Sequence, residues 1–235
     1  STVRIVYLAK TEGHYNDDEG AIADAFERLG HEVVRVNETC AGAARAAHRE
    51  QGDFCLFHHC TDYKGIRRLT IPAIFWYFDL VDYPADLTVA SRSRARMSWM
   101  ENMLPYVKMG LCTDGDWVKQ DTTGKLVRLL QGADQRQPRS TTPHKAATPL
   151  IFTGQPSVGD KRQSCIDALK KKYKHKFTVV QKVHKRDLAD MLISCQIAIA
   201  PDHPITDNYW SNRVYLTLGM GGFLLHPYAA TLRDH

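Results

Sequence analysis

No stretch of the 235 residues is apolar for long enough to cross a bilayer; the strongest runs, such as Ile71 to Phe78, fall far short of the roughly 20 residues required. The N-terminus lacks the charged-then-apolar pattern of a secretory signal, so an intracellular, cytoplasmic chain with no membrane partner is expected. There are only six cysteines (Cys40, Cys55, Cys60, Cys112, Cys165 and Cys195), with no Cys-x-x-Cys pair, and most lie in apolar, strand-like or helix-like runs. Reduced, packed thiols follow from that usage. Internal repetition at solenoid periods is also missing.

What is present describes a globular chain. A composition 43% hydrophobic and 24% charged excludes disorder and fibrous repeats, and the length is enough for one sizeable core or two small ones. The net charge of +5 is clustered: from Lys161 to Arg186 ten basic residues face one acid, Asp167. Lys170, Lys171 and Lys172 form its centre. Such a field attracts phosphate, on a nucleotide or on a nucleic acid. The competing reading is a solvated helix face whose lysines suit the negative end of the helix dipole.

Apolar β-branched runs alternate with helical spacings. Strands are expected at Val3–Lys10, Glu32–Asn37, Phe54–His58, Ala73–Phe78, Val107–Cys112 and Leu126–Gln131, with helices at Gly20–Leu29, Ala41–Arg49, Lys64–Leu69 and Arg94–Met103 and a helical turn around Trp117. A Gln/Arg/Thr/Pro-rich stretch without hydrophobic period follows, and then a second series: strands Leu150–Thr153, Phe177–Lys182, Gln196–Ala200 and Phe223–Leu225, helices Asp160–Tyr173, Lys185–Ile193 and Asn212–Leu218. The pattern predicts an α/β protein of two parallel-sheet units: residues 1–132, a linker at 133–148, and residues 149–235. Ligands of such sheets bind beyond the carboxyl ends of the strands, so two facing units would offer a cleft.

The most informative stretch is DHPITDNYWSNRVYLTLGMGGFLLHPY, Asp202 to Tyr228. Ser211 or Asn212 is placed to cap the helix that follows, Arg213 stands beside that helix start, and Gly219, Gly221 and Gly222 permit a tight turn before the next strand. Together with TPLIFTGQ, KRQSCIDAL, KFTVVQKVHKRDLADML, CQIAIAPD and LLQGAD, these residues resemble the nucleotide-sugar half of GT-B glycosyltransferases, in the branch of the bacterial spore-maturation type and phage-borne enzymes. The resemblance covers roughly residues 126 to 228 and is only architectural before that. It implies two Rossmann-like domains facing a cleft, the first for the acceptor and the second for the donor. Asn212 and Arg213 would meet the diphosphate, Gly154, Gln155 and Ser211 would border the site, and Asn208 would hold a sugar hydroxyl. No cofactor or metal is implied beyond the nucleotide-diphosphate sugar as co-substrate. Two departures stand out. Leu216 occupies the position of the family's ribose-holding Glu, and a complete domain of this family continues past His235, so the C-terminal domain reads as shortened.

In the first unit, candidates for proton removal sit at expected strand ends: His14, Asp17 and Asp18 after the first, His58 and His59 after the third, and Asp79 after the fourth. Of these, Asp79, His14 and Asp18 are the catalytic candidates. Each has a bland reading as a cap or turn residue. Asp114-Gly115-Asp116 looks like a metal-binding pair of carboxylates but fits an ordinary turn. Cys55, His58, His59 and Cys60 are metal-ligand types, yet strand alternation points Cys55 and His58 to opposite faces.

Two function classes remain open: a nucleotide-sugar glycosyltransferase, and a non-catalytic nucleotide- or nucleic-acid-binding module of the same fold, to which Leu216 and the early end point. For the enzyme, the acceptor is either DNA carrying hydroxymethylated pyrimidines, met as a flipped base, or a saccharide, lipid-linked or small-molecule hydroxyl.

Overall fold

The computed structural model describes residues 1–10, 18–82, 90–134, 136, 138–141, 144–145, 147–156, 160–183, 185–201 and 206–234. The chain separates into two compact units, one formed by Ser1–Asp82 and Arg92–Leu130, the other built on Gln131–His235.

The first unit alternates β1 (Arg4–Ala9), α1 (Asp18–Arg28), β2 (Glu32–Asn37), α2 (Ala43–Arg49), β3 (Phe54–Phe57), α3 (Tyr63–Arg67), β4 (Ala73–Tyr77), α4 (Ala90–Met103), β5 (Met109–Cys112), α5 (Gly115–Lys119) and β6 (Leu126–Arg128). The second contains β7 (Leu150–Thr153), α6 (Asp160–Tyr173), β8 (Phe177–Val180), α7 (Lys185–Ser194), β9 (Ile197–Ile199), α8 (Arg213–Gly219) and β10 (Leu224–Leu225). Among the described residues, these strands pair with one another in parallel throughout.

The expected α/β class is the observed one. Sheet order is β2-β1-β3-β4-β5-β6 in the first unit and β10-β9-β7-β8 in the second. Read from the other edge, the second sheet has the same opening order as the first: second strand, first, third, fourth. Both faces of each sheet are covered, as parallel sheets require. Val6, Leu8, Cys55, Phe57 and Phe75 pack on one face of the first sheet, Ile5, Tyr7 and Leu56 on the other. In the second, Ile151 and Ala198 face α7 residues Leu188, Ala189 and Leu192, while Phe152 and Phe177 meet Ile166 of α6. Among the described residues no helix is long and apolar enough to cross a membrane.

Several element bounds differ from expectation for local reasons. Helix α3 starts one residue early because the Asp62 side chain accepts the Gly65 N–H at 2.8 Å and caps it. Strand β8 ends at Val180 rather than Lys182, whose backbone turns to φ 51. Helix α4 begins at Ala90, four residues before the expected start. Asn212 has helical dihedrals, φ −56 and ψ −18, and its side chain does not cap α8, which corrects that part of the capping expectation.

Gly110 of β5 pairs with Phe75 of β4, and a Cβ at this glycine would lie 2.2 Å from the Phe75 ring. Gly110→Ala should therefore lower unfolding stability by about 1 to 3 kcal/mol, the usual range for an overpacked core, without changing the fold. Denaturant titration of the two proteins measures it.

Candidate functional site

In the second unit the connection from β7 goes to β8 on one side, and the next strand, β9, lies on the other. The carboxyl ends of β7 and β9 therefore flank the point where crossovers diverge, the usual ligand position of an open parallel sheet. Gly154 follows β7 with φ +116, and a Cβ there would sit 2.8 Å from Arg213 Nη2. Only glycine allows both that backbone and that approach. Arg213 opens α8. Its Nε donates to the Thr153 carbonyl at 2.6 Å, its Nη1 to Ser211 Oγ at 3.3 Å, and its guanidinium carbon lies 4.9 Å from the Phe152 ring centre. The cation is thus fixed at the end of β7 by a carbonyl 60 residues away in sequence and by stacking.

Gln155 is exposed beside Gly154. Asn208 is buried, at 7% exposure, between the bridged residues Thr206 and Tyr209. Trp210 is buried, and its indole N–H donates to the Tyr215 hydroxyl at 3.0 Å. Leu216 packs with Met191 and Leu224 against the core, so a leucine here is explained by packing and supplies no ribose ligand. Lys170, Lys171 and Lys172 form the exposed last turn of α6, where they also complement the helix dipole.

The first unit has its own divergence, between β1 and β3. His58, at the end of β3, is fully buried. Its Nδ1 lies 2.7 Å from the Trp76 carbonyl and its Nε2 2.6 Å from the Tyr7 hydroxyl. A carbonyl can only accept, so Nδ1 carries the proton and Nε2 accepts from Tyr7. Burial pushes this imidazole down to about 3, and it stays neutral as a strut joining β1, β3 and β4. His59 is partly exposed. Its Nε2 lies 3.5 Å from Glu19 Oε1, and burial lowers its pKa against the opposing charges of Glu19 and Asp79.

Glu38, directly after β2, accepts the His59 backbone N–H at 3.2 Å and lies 3.8 Å from Lys10 Nζ. Burial, reinforced by Glu19, raises its pKa from 4.5 to about 7. Glu19 also accepts the Lys10 backbone N–H. Asp79, half exposed, pairs with Arg96 of α4 at 2.9 Å. Asp18 is the first residue of α1, where its charge suits the helix dipole. His14 and Asp17 lie outside the described residues.

Asp114 is fully buried and accepts four backbone N–H groups, from Val81, Asp82, Asp116 and Trp117. It caps α5 and pins the chain that leaves β4, so the Asp-Gly-Asp stretch is a structural device here. Among the described residues no group of three His, Cys, Asp or Glu side chains could hold a metal ion.

The structure thus gathers His58, His59 and Asp79 at one sheet edge, and adds Lys10, Glu19, Glu38 and Arg96, which sequence reasoning passed over. Glu38 satisfies the same strand-end criterion that selected Asp79 and could have been found by it.

No protein-family profile and no curated protein sequence matches the chain. Solved structures do. An alpha-glucosyltransferase in complex with UDP and a 13-mer DNA containing an HMU base is 10% identical, with a TM-score of 0.65 over 98% of this chain and 81% of that one. HepE of Anabaena in complex with UDP-glucose is 8% identical, with a TM-score of 0.59 over 98% of this chain and 82% of that one. HepE with UDP gives 0.53 at 10% identity, over 97% and 86%. The chain shares its fold with these proteins.

A carboxyl whose folded pKa is raised destabilises the fold when ionised: stability falls as pH climbs from about 4.5 to about 7. Glu38→Gln removes that cost. The variant should gain up to about 3 kcal/mol over the parent above pH 7 and progressively less toward pH 4, each tenfold change in proton affinity being worth about 1.4 kcal/mol. Thermal unfolding across that range reads the difference.

Proposed function

We propose that the chain is a glycosyltransferase that moves a sugar from a nucleotide-diphosphate donor to an acceptor hydroxyl without a metal ion. Arg213 is the observation that carries this reading. It is a guanidinium anchored at the carboxyl end of β7, at the divergence of the second sheet, in a fold shared with proteins solved with UDP or UDP-glucose. The diphosphate would lie against Arg213, Ser211, Asn212 and the backbone of Gly154, bordered by Gln155 and Asn208. As the acceptor oxygen bonds to the anomeric carbon, the carbon–oxygen bond to the diphosphate breaks and its electron pair leaves with the phosphate. A fixed guanidinium stabilises that growing charge better than a mobile one. The acceptor proton passes to a base, for which Asp79, His14 and Asp18 are the candidates.

For the acceptor we propose a hydroxymethylated pyrimidine in DNA. The exposed lysines 170–172 and the fold shared with a protein solved on HMU-containing DNA support this. Leu216 favours a second reading, a nucleotide-binding module without catalysis, since its packing leaves the ribose without the family's carboxylate. Slow hydrolysis of a nucleotide sugar in the absence of acceptor is expected of the enzyme and not of the binder.

Arg213→Ala should weaken nucleoside-diphosphate binding about ten- to a hundredfold, as expected for hydrogen bonds to a charged group. Arg213→Lys should restore only part, because one ammonium cannot reproduce the fork. Calorimetric titration with UDP decides it; unchanged affinity would remove the donor site from this arginine. For DNA, the logarithm of affinity should fall steeply with the logarithm of salt, and reversal of charge at Lys170, Lys171 and Lys172 should flatten that slope. Fluorescence titration of duplex DNA at three salt concentrations is sufficient, and a slope unaltered by the reversal excludes these lysines.

A further inference from the structure

Between the ends of β1, β2 and β3 lies a cavity of about 280 Å³, lined by Lys10, Glu38, Thr39, His59, Thr61 and Asp62 among others. It sits at the divergence of the first sheet, the position where parallel sheets take ligands. The Glu38 side chain is only 3% exposed. Its Oε2 accepts the His59 backbone N–H; its Oε1 is buried and ion-paired with Lys10 Nζ at 3.8 Å, beyond hydrogen-bond reach, and has no hydrogen-bond donor among the described residues. A buried carboxylate oxygen without a hydrogen bond is costly, so a ligand that brings a donor to it gains affinity.

The surrounding charges select the ligand. An anion would face Glu38 and Asp62, with Glu19 close behind at His59. A cation would face the Lys10 ammonium, and an apolar group would leave Oε1 as it is. A hydroxyl does both things required, since it can donate to a carboxylate oxygen and accept from an ammonium at once.

We propose that this cavity binds an uncharged, hydroxyl-bearing ligand, with one hydroxyl bridging Lys10 Nζ and Glu38 Oε1. The volume suits a single sugar ring or a hydroxymethylated pyrimidine. The site stands independently of the nucleotide-sugar reading. The hydroxyl donates to the ionised carboxylate, so affinity rises with pH through about 7, where Glu38, raised chiefly by burial, titrates among Lys10 after β1, Glu19 on α1 and His59 after β3.

The test is ligand-observed NMR titration of the full chain with methyl glucoside, 5-hydroxymethyluracil and thymine. At least one of the two hydroxyl probes should bind, and thymine, which lacks the hydroxymethyl oxygen, should not. Which of the two binds tells a saccharide from a modified base. Glu38→Gln and Lys10→Met should each weaken the bound probe at least about tenfold and Glu38→Gln should abolish its pH dependence, with melting temperatures showing both variants folded. Absence of binding by both probes, binding of thymine equal to 5-hydroxymethyluracil, or undiminished affinity in Glu38→Gln would overturn the proposal. UDP titration of the same samples reports on Arg213 separately, so either site can fail while the other stands.

Discussion

In a parallel sheet every strand delivers its chain to the same edge, and the helices that return it must cover one face or the other. Where one connection turns left and the next turns right, no helix crosses above the gap. Both sheets of this protein place that gap after their first and third strands. The polar residues of interest follow from this constraint, because the gap is where a strand can end in a charged side chain without a crossover lying on top of it. The two gaps are furnished oppositely. One holds an arginine locked to a carbonyl and an aromatic ring; the other holds a carboxyl that titrates near neutrality beside a lysine.

Burial acts differently on the polar groups around the first gap. His58 and Asp114 are both fully enclosed and both satisfied, one by Tyr7 and the Trp76 carbonyl, the other by four backbone N–H groups. Such groups fix strand positions and loop paths, since any displacement would strand them in an apolar interior. The Glu38 side chain is enclosed to a similar degree yet, among the described residues, one of its oxygens has no hydrogen bond, only the Lys10 ion pair at 3.8 Å. The contrast separates polar residues that hold the fold from one that is available to something else.

Much of the architecture was legible in the sequence because both devices that specify it are local. β2, β7 and α6 have the bounds expected from β-branched runs and helical spacing, and the motif Tyr-Trp-Ser-Asn-Arg-Val-Tyr pointed to the fold class now seen in solved structures. Ends were less legible: nothing local to Ala90 marks the start of α4, and the left-handed backbone of Lys182 is a choice made by its surroundings. The site was legible as a set of strand-end residues but not as a set of environments. His58 and His59 are adjacent in sequence, yet one is sealed and the other partly open. That Arg213 reaches Thr153, and that Glu38 loses its water, depend on packing between segments far apart in the chain.

The tryptophans divide unevenly between the units. Trp76, Trp99 and Trp117 belong to the first, and Trp210, buried against Tyr215, is the single indole of the second. Its emission is therefore a private signal. With the three others replaced by phenylalanine, a red shift in fluorescence would report the opening of the second unit alone, and the midpoint of that shift against the loss of far-ultraviolet ellipticity would tell whether the two sheets melt together or in turn. Because Trp210 lies three residues before Arg213, the same emission would also register a phosphate arriving at that arginine, with no label attached to either molecule.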